Sequence, residues 1–353
     1  LASARAEGLP VAVRSAAAGG RRRSGLPPGG HLLLDSSRLT GVEDLKAEAL
    51  WMTVRAGMSL EAVIQAAAAA GCRPVDMEPA AAASVGAWLA GRSRIADDVL
   101  GIPQPAVVGL EAVLADGTLV RSVQTPRSAA GPDLFSLLLG TRGTFGVVTS
   151  ACLKLEPLPE RQLMAGLRFR SLKRAFAFVH QALDGLLPPR RLQLLVDGQK
   201  GRRMARVWFA VEGQADLAAA TMRWLRARAE AGGGELRELE RVRAWRAASV
   251  FSGRRSYRAG VRWSQLERVL RGADRLMGGY AFAVLDRPET TGCRLRVAAP
   301  RRLTGDPRPG WGRLVDPDGE QAAAKDQARA VLARVRAELD PDGLLDPQHW
   351  PLD

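Results

Sequence analysis

The sequence predicts an α+β protein in two parts, a first domain interrupted by an inserted second one. Three observations carry that expectation. The 353 residues are enough for two domains at about 150 residues each. Residues 1–159 alternate short apolar strands with small-residue loops, whereas the stretch after 160 turns to longer amphipathic elements in β-α-β-β-α order, the pattern of helices laid on one face of an antiparallel sheet. A Pro/Gly/Arg-rich stretch, Pro300 to Pro317, then leads into a long amphipathic helix that reads as a return to the first domain. The expected boundaries are 1–159, 160–318 and 319–353.

Each element has a local reason. Leu9 to Arg14 is a short buried strand running into the small-residue loop Ser15 to Gly20, and His31 to Asp35 and Leu50 to Arg55 are further apolar strands. Ser59 stands as an N-cap, Leu60, Val63, Ile64 and an alanine run follow, and Gly71 stops the helix. Val107 to Leu114, the Asp116-Gly117 turn and Thr118 to Val120 form a hairpin. Leu134 to Leu139 is a short helix entering a glycine-punctuated turn, and Val147 to Leu155 is a strand closed by prolines. In the insert, 161–170 alternates as a strand and 171–187 has helical periodicity. Arg191 to Val196 and Met204 to Val211 pair as strands, Leu217 to Ala231 is a helix stopped by three glycines, and Gln321 to Leu339 is the returning helix.

Composition narrows the function classes. Hydrophobic residues make up 46% and charged residues 25%, as in globular proteins with a real core. No apolar run approaches the roughly 20 residues of a membrane span, and the N-terminus has no apolar signal core, so a cytoplasmic protein is expected, membrane-associated only through a partner. The net charge is +14, but only five of the 51 basic residues are lysine and the arginines are scattered. With no stripe of interleaved basic and aromatic residues, nucleic acid is not an expected partner. The charge fits better with steering of a small anionic substrate. The three cysteines (Cys72, Cys152, Cys293) and three histidines lie far apart without metal-ligand spacing, so no metal site is expected.

Five segments in register carry a resemblance. They are Pro10 to Arg14 with its loop and Leu34 to Leu39; Val54 to Gly57 and the helix after it; Ala83 to Ala87 and Val108 to Gly117; Ala130 to Asp133, Gly140 to Thr149 and Leu153 to Pro159; and Leu339 to Pro347. Together they resemble the vanillyl-alcohol-oxidase family of flavoproteins, whose cofactor domain is called the PCMH-type FAD-binding domain. The resemblance implies that domain in two parts, with an inserted α+β cap, and a chain that begins inside it without the usual first strand and helix. In length and in its lack of cap histidines the chain looks most like the small FAD-binding subunit of bacterial glycolate oxidase.

What the resemblance implies about residues follows from the needs of a dinucleotide. A pyrophosphate needs backbone N–H groups at close approach, which small residues permit. The first candidate loop is Ser15, Ala16, Ala17, Ala18 and Gly19, where Arg14-Ser15-Ala16-Ala17-Ala18 stands at the family's usual Arg-Gly-Gly-Gly-Thr. The second is Ser84, Val85 and Gly86. The third, running beside the flavin, comprises Gly140, Gly143, Thr144, Gly146 and Val147. With no histidine in the first loop, FAD is expected to be non-covalent. In the cap, Tyr257, Arg258 and Arg255 are candidate catalytic residues, since arginine forks suit a substrate carboxylate and a tyrosine could take a hydroxyl proton. The implied activity is oxidation of a small 2-hydroxy acid such as glycolate or lactate. Electrons would pass to a partner, another flavoprotein or an iron–sulfur subunit in a hetero-oligomer. The alternative is a non-catalytic structural subunit of the same fold with a degenerate FAD site, assembled with an active paralogue.

Overall fold

A computed structural model describes residues 1–14, 30–75, 77, 83–90, 106–122, 137–141, 143–185, 188–197, 204–237, 256–277, 282–286, 292–298 and 320–345. The chain divides into two compact units, Leu1–Leu158 with Ala324–Asp353, and Pro159–Ala323.

The first unit opens with a short helix, α1 (Ala2–Ala6), and strand β1 (Val11–Arg14), which pairs in parallel with β2 (Leu32–Asp35). Beyond it lie β3 (Val42–Lys46), β4 (Trp51–Arg55), helix α2 (Leu60–Ala69), β5 (Cys72–Pro74), the short helix α3 (Val85–Ala90), β6 (Val107–Val113), β7 (Leu119–Arg121) and β8 (Val147–Pro157). These strands form an antiparallel sheet in the order β3-β4-β8-β6-β7, with β5 also on β8. Ser59 caps α2 by accepting from the Ala62 amide, and Gly71 beyond its end is left-handed at φ +71°, as a helix stop requires. Gly117 takes the same region at φ +89° in the β6–β7 hairpin. Apolar residues of α2 and α3 pack on alternate residues of β4, β6 and β8, and Leu332, Val335 and Leu339 of the returning helix join that core.

The chain's end completes the small parallel pair. Asp340 follows helix α7 (Glu320–Leu339), whose number leaves α4 to α6 for the second unit. Its buried carboxylate accepts from the amides of Leu344 and Leu345 at 2.8 and 2.9 Å. Leu345 then bridges Val11 in parallel, and the Val11 amide donates to the Leu344 carbonyl at 2.7 Å.

The second unit holds β9 (Arg161–Phe169), α4 (Leu172–Leu183), β10 (Arg191–Asp197), β11 (Met204–Gly213), α5 (Ala215–Ala231), β12 (Glu235–Arg237), β13 (Ser256–Arg262), α6 (Trp263–Met277), β14 (Phe282–Asp286) and β15 (Gly292–Ala298). One seven-stranded antiparallel sheet results, in the order β12-β9-β11-β10-β14-β15-β13. Its core joins alternate strand residues, such as Leu167, Leu194, Val207 and Val297, to buried residues of all three helices, including Phe178, Leu225 and Leu270. That period of two places the helices on one face.

The sequence reading missed α1, β3, β5, α3, β12 and everything from β13 to β15. Those last elements repeat the first half: β9-α4-β10-β11 and β13-α6-β14-β15 are two β-α-β-β units meeting at β10 and β14. Arginine masked the second copy. Tyr257, Ala259 and Val261 alternate with Arg258, Gly260 and Arg262, and Cys293, Leu295 and Val297 with Arg294 and Arg296, a period of two that marks a strand despite the charges.

Candidate functional site

The separate motifs of the first unit close into a ring. At the carboxyl end of the parallel pair, Arg14 stands opposite Asp35, and the Ser36 hydroxyl donates to the Arg14 carbonyl at 3.1 Å. Ser36 lies against Gly57, where a Cβ would fall inside the contact distance of the Ser36 carbonyl oxygen and 2.7 Å from that of Leu39. The Gly57 amide donates to the Leu39 carbonyl at 2.7 Å. One residue back, the Ala56 carbonyl accepts from the Gly86 amide at 2.6 Å, and the Leu89 carbonyl at the end of α3 accepts from Gly140 at 2.8 Å. From Gly143 the ring returns to β1, since a Cβ there would meet a Val13 methyl at 3.8 Å. Segments of four of the five motifs thus meet at the carboxyl end of a parallel strand pair, while the fifth reaches the start of β1 through Leu344 and Leu345.

Within this ring the sequence-predicted residues have different surroundings. Ser84 is fully buried and pairs with Ser59 as an isolated bridge. The Val85 amide donates to the Met58 carbonyl at 2.9 Å, the Gly86 amide to Ala56, and the Ala87 amide to the Ser84 hydroxyl at 3.2 Å. The expectation that this loop offers N–H groups to a pyrophosphate therefore meets amides already engaged inside the protein. What it presents is closeness, because a Cβ on Gly86 would lie 3.1 Å from the Ala56 carbonyl oxygen. Gly140 and Gly143 have φ of +71° and +86°, conformations that glycine adopts without strain. Gly146 sits against Leu138, the Val113 carbonyl and Leu114, and Val147 begins β8 opposite Val113 in a small buried cluster with Val11. Ser15, Ala16, Ala17, Ala18 and Gly19 lie outside the described residues.

Thr144 gives the ring an open valence. Its side chain is fully buried, and Oγ1 has no hydrogen-bond partner among the described residues. A buried hydroxyl left unpaired costs about 1–3 kcal/mol, so a polar group from a bound molecule would relieve it. The residues present therefore fit an extended polar ligand such as FAD.

Electrostatics around the ring are mild. Asp35 is held below the usual carboxylate range, first by the Ser37 amide and then by the side chains of Ser37 and Arg14. On the sheet, Glu111 is lowered chiefly by the Thr149 hydroxyl and by Arg121. Burial pushes the Cys152 thiol up, which keeps it protonated and unreactive. Among the described residues no three His, Cys, Asp or Glu side chains gather as metal ligands, and no helix is long and apolar enough to cross a membrane.

In the second unit the register sorts the catalytic candidates. Arg258 lies opposite Arg296, and Tyr257 opposite Val297, which is buried in the helix-covered core. Arg255 lies outside the described residues. The Arg258 register row runs on through Arg296, Val284, Leu195, Arg206 and Arg168 to Glu235 on the edge strand β12. Two arginine pairs thus stand directly cross-strand, Arg168 with Arg206 and Arg258 with Arg296, on either side of an apolar centre. Sequence reasoning missed Arg168, Arg206, Arg296 and Gly57. The arginines could have been found from their place in the non-core set of alternating strands.

Comparison with known proteins agrees with this geometry. Residues 1–122 match the FAD binding domain family. The chain is 30% identical over 174 residues to the uncharacterized FAD-linked oxidoreductase YgcU of Escherichia coli K12, covering 48% of this chain and 36% of that protein. It is 28% identical over 172 residues to the glycolate oxidase subunit GlcD of Bacillus subtilis, covering 48% and 37%. The matched stretch is thus just over a third of each relative's length. Among solved structures, p-cresol methylhydroxylase with substrate bound superimposes with a TM-score of 0.68 at 13% identity, over 98% of this chain and 86% of that one, a likeness of fold. Residues 1–122 thus carry an FAD binding domain, and the fold resembles that of the vanillyl-alcohol-oxidase, or PCMH-type, flavoproteins. FAD is the cofactor of that domain.

Proposed function

We propose that this chain is an FAD-dependent oxidoreductase, or the FAD-binding subunit of one, that oxidises a small 2-hydroxy acid and passes the electrons to a partner protein. The observation that carries the substrate class is the register row with two cross-strand arginine pairs. Like charges directly opposite each other destabilise a sheet, so two such pairs in one row fit a surface meant to receive an anion. The glycolate oxidase subunit among the relatives supports the same class.

In this reading the first unit is the FAD domain and the second the cap. Residues 15–19 and Thr144 hold the cofactor, with Gly86, Gly140 and Gly143 keeping the backbone close around it. Bound FAD supplies the hydride acceptor. Arg258 clamps the carboxylate, with Arg206 and Arg296 raising the local potential; orientation rather than bond-making is their contribution. For the hydroxyl proton the sequence offers Tyr257, whose register partner is Val297. The partner is proposed to be another flavoprotein or an iron–sulfur subunit.

A second reading has its own support. The engaged amides of Val85, Gly86 and Ala87, with the alanines of the first loop, suit a structural subunit whose cofactor site has decayed. The visible spectrum of the purified chain separates the two. Flavin bands that survive desalting and bleach anaerobically with a 2-hydroxy acid are the expected result. A colourless folded chain that ignores added FAD establishes the structural reading, and retained bands that no 2-hydroxy acid bleaches overturn the substrate class.

A further inference from the structure

Helix α5 is apolar on two sides. Ala218, Met222, Leu225 and Ala229 are buried in the core of the second unit. Nearly opposite them on the helix, Leu217, Ala220, Trp224, Ala227 and Ala231 are all exposed, at alternating spacings of three and four residues. That spacing lines them up as one stripe, the a and d seam of a heptad pattern. Its two large side chains stand in water, Leu217 at 45% and Trp224 at 37% exposure. The indole is held at the surface: Arg228 lies 5.4 Å from its ring centroid, and Gly185, just beyond the end of α4, leaves room where a Cβ would come within 3.1 Å of the ring. The alanines between keep the stripe low, so that a second helix can approach closely. A helix on the surface of a globular protein needs a single apolar stripe, and the core already has it.

We propose that the seam on α5 is a docking surface for an amphipathic helix of another protein, one that carries acidic residues beside its own apolar stripe. This surface is independent of the flavin reading. The charges beside the seam choose the occupant. Arg223 and Arg228 flank it on its two sides next to Trp224, at heptad positions g and e, and Asp216 and Glu230 are the g positions toward its ends. Those positions set partner and orientation when helices pair. A second copy of α5 fits badly in either direction. Run parallel, it brings Arg223 against Arg228; run antiparallel, it brings Arg223 against Arg223 and Asp216 against Glu230. Like charges across an interface select against that partner. Carboxylates on the incoming helix turn the same two arginines into pairing groups. A tryptophan with arginine at the middle of an exposed patch is also the composition that dominates binding energy at protein interfaces. Single apolar residues at a surface are ordinary, whereas an exposed stripe in helical register marks a contact.

The test uses the purified full chain and two fluorescein-labelled synthetic helices about three heptads long, enough to hold a helix. Both have leucine at a and d; one has glutamate at e and g, the other lysine. Fluorescence anisotropy gives the Kd of each for wild type, for Ala227→Glu, and for the double variant Arg223→Glu with Arg228→Glu. All three positions are exposed, and thermal unfolding checks that each variant is folded. The glutamate helix is expected to bind wild type about tenfold more tightly than the lysine helix. Ala227→Glu, which sets an unpaired charge in the seam, should weaken the glutamate helix by about tenfold or more. The double variant should reverse the preference. Failure of the glutamate helix to bind wild type, equal binding of the two helices, or binding that Ala227→Glu leaves unchanged overturns the proposal. Sedimentation of the chain alone covers another occupant: a dimer that Ala227→Glu dissociates assigns the seam to a second copy and overturns the acidic partner. Binding to phosphatidylserine vesicles that the same substitution abolishes assigns it to a lipid surface and overturns it as well.

Discussion

The two units offer a ligand different kinds of atoms. In the first, the ring from Arg14 through Gly57, Gly86 and Gly140 back to Val13 is built of backbone groups and small residues, most of whose hydrogen bonds are already made to one another. In the second, four arginines share one register row of a sheet whose core packs against three helices. A backbone site is defined by what cannot be added to it, and one extra carbon at Gly57 has nowhere to go. A side-chain site is defined by what is displayed and tolerates exchange. On the proposed function, the first kind would hold the cofactor and the second the substrate.

The sharpest way to break that contrast is Gly57→Ala. The new Cβ would meet two backbone carbonyls, Ser36 and Leu39, that cannot swing aside as a side chain would. Destabilisation of about 3 kcal/mol is expected, at the upper end of overpacking costs, read by urea unfolding. Gly117→Ala is the control: its φ is +89° but nothing lies within 4 Å of its Cβ, so only the conformational cost of about 1 kcal/mol applies. Equal losses for the two would mean that the ring is no tighter than an ordinary hairpin turn.

Thr144→Val sharpens the comparison from within the ring. Valine keeps the shape and removes the buried hydroxyl that has no partner among the described residues. The FAD-free chain should gain about 1 kcal/mol, the cost of an unpaired buried group. FAD affinity should fall between threefold and tenfold, roughly one hydrogen bond. Calorimetry with and without FAD separates the two effects. A chain destabilised in both states would show that the hydroxyl already serves the protein.

Much of this frame was legible in the residues. Ser59 announced α2 and Gly71 its end, Asp116-Gly117 announced the hairpin, and four of the five motifs of the FAD domain converge on one place. What was hidden has physical causes. Gly57 reads as a plain turn residue, because its importance lies in how near Ser36 and Leu39 come, and those contacts are fixed only by the fold. The engaged amides of residues 85–87 are equally silent, since a backbone hydrogen bond leaves no mark on residue type. The second β-α-β-β unit was hidden by charge: Arg258, Arg294 and Arg296 look like a solvated face until their spacing of two is noticed.

The smallest expected effect tests the second unit, and its sign is the point. Arg206 on β11 lies directly opposite Arg168 on β9, with Leu195 on its other side. Replacing one of two like charges in a cross-strand pair should relieve repulsion worth roughly 0.2–1 kcal/mol, so Arg206→Gln is expected to raise stability slightly. If the row receives an anionic substrate, the same change should raise KM with little effect on kcat, the signature of lost binding common to ground and transition states. Stability and affinity then move in opposite directions, as they do at Thr144, whereas Gly57→Ala lowers stability. An Arg206→Gln chain that is less stable with an unchanged KM would show an arginine held for its packing, and the contrast between the two units would lose its second half.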